Sequence, residues 1–166
     1  SMADKGAMIE LQVDPDRITT LAPLYQATPL QDALMVAPQE GPFAALADEL
    51  QGRLAALTGA EPMRLDQAQC WNPESLGSPV IALGHAANNM LLRSLQYLGF
   101  LSHGDYPTEG LRVRSIHNPY GDGANVLCAL GYTPQVCRAS VERLVASLTQ
   151  TDGAWGVPGP VHLREP

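Results

Sequence analysis

The chain has 166 residues, 45% of them apolar but only 5% aromatic, and a formal net charge of −7. That is one domain's length, with a core built from Leu, Val, Ala and Met rather than from rings. The acidic balance argues against nucleic acid and anionic membranes as partners, and no run approaches the ~20 apolar residues of a membrane span.

Residues 1–8 read as an appended lead-in, with Ser1-Met2 resembling the remnant of an expression tag, so a native export signal could have been removed. Met8 to Val13 alternates as a short strand would, and a short helix is expected near Arg17–Tyr25. Residues 33–37 (Ala-Leu-Met-Val-Ala) form a buried-strand candidate. Pro38 to Gly41 turn the chain, and Pro42 suits a first helical position. Phe43, Ala47, Leu50, Leu54 and Leu57 then recur at spacings of four and three, which predicts one helix with a single apolar stripe. Glu49 and Arg53 could pair on its outer face, and Gly59 supplies the left-handed stop.

Residues 61–66 read as a short strand, and residues 67–78 as loop. Val80-Ile81-Ala82-Leu83 is apolar without alternation, the pattern of a strand buried on both faces. Gly84 breaks it, and a helix is expected over 88–98. Residues 110–117 and 125–130 read as an antiparallel hairpin around the turn Asn118-Pro119-Tyr120-Gly121-Asp122-Gly123. Thr133 caps a last helix, with Pro134 at its first position. Residues 9–150 are thus expected to be one α/β domain: a single mixed sheet carrying about three helices. Residues 151–166, rich in Gly and Pro, read as a linker or tail.

Four segments resemble a known domain. Phe43 to Leu50, with the exit Leu57-Thr58-Gly59-Ala60-Glu61-Pro62, resembles an "AAxEL…LTGAxxP" helix. Val80 to Gly84, Glu109 to Val113 and Asn125 to Gly131 resemble the strands "IxxG", "EGFxI" and "xxLVIAG". Their order is similar to the small α/β domain that precedes the catalytic barrel in family 20 β-hexosaminidases and family 67 α-glucuronidases. Tyr132 to Ala139 departs from that family's "RGTLYGVYxFLE" stretch. The resemblance implies a non-catalytic accessory domain of a secreted or periplasmic glycoside hydrolase or polysaccharide lyase. Its partners would be a catalytic domain of the same polypeptide and a glycan. It implies no catalytic residues and no cofactor.

Candidate contact residues follow from chemistry. His85, with Asn88 just beyond, stands where a strand passes into a helix, a natural place for an anion or a sugar hydroxyl. His117, Asn118, Tyr120, Asp122 and Asn125 gather polar groups and a ring in one turn, which is also what backbone geometry alone asks of a turn. Trp71 and Trp155 could offer stacking faces or lie buried. The histidines form no metal-ligand cluster, Asp48 and Glu49 are too close in sequence to flank one bond, and Cys70, Cys128 and Cys137 match no zinc or redox spacing; Cys128 and Cys137, in a predicted strand and a predicted helix, read as small core residues. Two other readings stay open: a small α/β enzyme or cofactor binder using the Gly84-His85 helix start, and a protein-interaction module using the Asn118–Asn125 turn.

Overall fold

The computed structural model describes residues 27–70 and 77–166. The expected strand at Met8, the helix near Arg17 and the candidate Trp71 lie outside the described residues. The strands are β1 (Thr28–Pro29), β2 (Leu34–Val36), β3 (Met63–Arg64), β4 (Val80–Gly84), β5 (Leu111–Ile116), β6 (Val126–Leu130), β7 (Thr149–Thr151), β8 (Ala154–Val157) and β9 (His162–Glu165). The helices are α1 (Gly41–Thr58), α2 (Met90–Tyr97) and α3 (Pro134–Ala146).

Six strands form a mixed sheet in the order β3-β2-β4-β6-β5-β9. β3, β2, β4 and β6 run parallel to one another, while β5 runs antiparallel to both β6 and β9. The unalternating apolar runs are explained by cover on both faces. On one face Met35, Ile81, Leu83, Leu127 and Ala129 pack with Leu46, Leu50 and Leu54 of α1 and Cys137, Val141 and Leu144 of α3. On the other, Val36, Val80, Ala82, Cys128 and Leu130 pack with Leu91, Leu92 and Leu95 of α2. Cys70, Cys128 and Cys137 are buried free thiols.

Three details differ from the sequence expectation. Leu57 is exposed, because it lies in the last turn of α1. Glu49 and Arg53 do not pair with each other; both reach across to α3, where Arg138 and Glu142 lie closer than a same-helix partner (2.8 Å and 2.7 Å). Residues 151–166, expected as a linker or tail, hold strands. They build β8 and β9 and complete β7, because the glycines and prolines punctuate short strands: Asp152 and Gly153 take positive φ in the β7–β8 turn. β1, β8 and β7 form a second, three-stranded sheet beside the expected one.

Candidate functional site

β2 hands the chain to α1 on one face and β4 hands it to α2 on the other. Neighbouring parallel strands whose helices leave to opposite faces define the switch point where an open α/β sheet holds a ligand at its carboxyl edge. His85, Asn88 and Asn89 stand there.

The chain fills this place itself. Asn89 is buried, and its Nδ2 donates to the carbonyls of Val36 and Leu83, 3.0 Å each, tying the ends of β2 and β4 together. Its Oδ1 accepts the amides of Leu91 and Leu92. Gln67 completes the closure: Oε1 accepts the Met90 amide and Nε2 donates to the Ala37 carbonyl. The first-turn amides of α2 are therefore occupied, which leaves none for a phosphate or a sugar hydroxyl. Asn88 is equally committed, its Oδ1 accepting the His85 amide at 2.9 Å. Gly84 must be glycine: its φ is +115°, and a Cβ would lie 2.5 Å from Asn88 Oδ1.

His85 is half-buried at the same edge. Its Nδ1 accepts the Ala87 amide at 3.2 Å, so the neutral ring carries its proton on Nε2. Burial holds its pKa below the usual histidine value, which keeps the ring neutral near pH 7. Phe43 meets it edge-on at 5.6 Å and Tyr132 lies against its other side at 5.1 Å. Tyr106 packs behind Tyr132 at 5.8 Å. The result is a row of rings across the start of α1 and the ends of β4 and β6, with Tyr132 exposed. Such a row can stack, and it carries two hydrogen-bond donors, His85 Nε2 and the Tyr132 hydroxyl.

The turn after β5 is satisfied internally. Asn118, at φ +50°, accepts the Gly123 amide on Oδ1, and its own amide donates to Asn125 Oδ1. Asp122 accepts the amides of Ala124 and Gly77. Asn125 is buried and donates to Thr28 Oγ1. Tyr120 packs on the α2-side core with its hydroxyl on Ser94 Oγ, and burial, foremost, pushes that hydroxyl up to about 12. His117 Nε2 sits 2.7 Å from Ser115 Oγ, which also accepts the Val161 amide. Thus His85 and Asn88 share one site, the other candidates belong to a turn, and the two groups are not brought together.

A separate cleft of about 380 Å³ is lined by Leu30, Gln31, Asp32, Thr58 and Trp155, among others. The Gln31 and Asp32 side chains are exposed on its rim and hydrogen-bond to no described residue. Among the described residues no group of three His, Cys, Asp or Glu could hold a metal ion, and no helix is long and apolar enough to cross a membrane.

Reasoning from the sequence missed Tyr132, Phe43 and Gln67, whose role depends on contacts between distant segments. Asn89 had a signal: an Asn immediately before an apolar helical run is a cap. Comparison with known proteins finds no family model that matches this chain and no curated protein similar to it.

Proposed function

We propose that this chain is a non-catalytic accessory domain of an exported carbohydrate-active enzyme, packing on the catalytic domain and contacting glycan. The observation that carries the reading is the closed carboxyl edge. Where an α/β enzyme or cofactor binder opens a crevice, Asn89, Asn88 and Gln67 consume the amides and carbonyls. What remains outside is the ring row of Phe43, His85 and Tyr132, a surface suited to another domain. Glycan contact is supported by the Trp155 cleft, where an indole lies beside the exposed amide of Gln31 and carboxylate of Asp32.

The test pairs a sequence and a binding measurement. The coding sequence around this segment is read for a fused hydrolase or lyase domain. That domain is then made separately and titrated with this chain by calorimetry. Association that Tyr132→Asp weakens at least tenfold supports the reading. Turnover of polysaccharides by the chain alone, or a coding sequence with no such domain, overturns it.

A further inference from the structure

β9 lies antiparallel on β5, with His162 opposite Arg114 and Arg164 opposite Arg112. Directly opposed and alternate residues share a face of a sheet, so all four side chains project from one side of this ribbon. One acid reaches two of them. Asp105, from the turn His103–Asp105, holds Arg112 Nη2 at 2.6 Å on Oδ1 and Arg114 Nη1 at 3.4 Å on Oδ2. Arg164 spends a hydrogen bond on the Gly104 carbonyl, and the buried Arg114 Nε finds no acceptor among the described residues. The cluster is short of acceptors and rich in positive charge, on a chain that is acidic overall.

His162 supplies one of the few acceptors. Its Nε2 lies 2.9 Å from Arg112 Nη2. A guanidinium only donates, so Nε2 accepts, the ring proton is on Nδ1, and the ring is neutral. A second proton would set donor against donor and add a positive charge beside Arg112, on a ribbon face that already carries Arg114 and Arg164. From α3, Arg143 is occupied with Glu165 at 3.1 Å, and among the described residues no carboxylate forms an ion pair with His162; Asp105 acts on it only through its charge. Burial first, then Arg112 and Arg114, lower the His162 pKa, against a smaller upward pull from Asp105.

We propose that β9 is a pH-sensitive clasp: fastened on β5 while His162 is neutral, and loosened by its protonation so that the outer edge of β5 is uncovered. The sign is fixed by the lowered pKa. The contribution of His162 is complete above the ordinary histidine pKa and is lost as pH falls through it and below. Just before β9, the Ser115 amide bonds the Val161 carbonyl and Ser115 Oγ accepts the Val161 amide, and neither depends on His162, so the loosening is local.

Hydrogen exchange of the whole chain at about pH 5.5 and pH 7.5, normalised to intrinsic rates, reads the clasp directly. Residues 162–165 and 111–116 should lose protection several-fold at the lower pH, while residues 80–84 stay protected. His162→Gln, which keeps a neutral acceptor, should abolish the pH effect, and His162→Lys should loosen β9 at both pH values. Equal protection at the two pH values, or an undiminished acid effect in His162→Gln, overturns the proposal. Should the Lys variant fail to fold, the Gln variant still decides.

Discussion

Asn89 at the start of α2 and Val36 at the end of β2 are joined by a buried 3.0 Å hydrogen bond across fifty-three residues of sequence. The same side chain caps α2 and holds the Leu83 carbonyl, so four hydrogen bonds pass through one amide group. Two of them cap the helix and two tie neighbouring strands.

Replacing Asn89 separates these roles. Asn89→Ala removes the cap and strands two buried carbonyls, and should cost roughly 2–4 kcal/mol by denaturant unfolding. Asn89→Asp keeps the cap acceptor but turns a carboxylate toward Val36 and Leu83. It should be no more stable than the Ala variant at neutral pH. A near-wild-type Asp variant would mean that the cap alone matters.

Gly131 predicts a steric effect with no change of charge. A Cβ there would lie 2.6 Å from the Cys137 amide nitrogen, a backbone atom of α3 that cannot step aside. Gly131→Ala should lower stability by roughly 1–3 kcal/mol, as overpacked sites do. Gly159→Ala, with nothing within 4 Å, is the control and should change little.

Asp105 predicts a pH dependence of the opposite chemical kind to a neutral core residue. Burial raises its carboxyl pKa, but the Arg112 hydrogen bond, the Ser102 amide and the charges of Arg114 and Arg112 outweigh that and hold it below the usual value. The stability it contributes is present above the ordinary aspartate pKa and is lost as pH falls through the lowered one. Asp105→Asn leaves two arginines against a neutral amide and should cost about 3 kcal/mol at pH 7. That deficit should shrink in acid, where the native carboxyl is itself protonated. A deficit constant between neutral and strongly acidic pH would show that shape, and not charge, sets the cost.

Much of the fold can be read from local pattern. Val80 to Leu83 and Val126 to Leu130 are apolar at every position, which states burial on both faces, and Thr133-Pro134 and Gly59 mark helix ends by backbone chemistry alone. What could not be read depends on partners far along the chain. Glu49 and Arg53 are correctly spaced for each other, yet their choice of α3 depends on how the helices lie side by side. The last sixteen residues look like linker because β8 and β9 are four residues each and only half apolar; their stability comes from β1 and β5, not from their own composition. His85 and Asn88 are where the strand-to-helix pattern puts them. Their hydrogen bonds, made within the loop itself, are below what residue identity can resolve.

Among the described residues β8 is the partner of β1 in the second sheet, and β9 lies at the β5 end of the first. Both follow residue 150. A nascent chain leaving the ribosome can build β2, β4 and β6 with their helices, but two sheet edges wait until residues 154–165 have been made. Contacts so distant in sequence slow folding, and the interval before they form is when the unfinished edges of this protein are open to its neighbours.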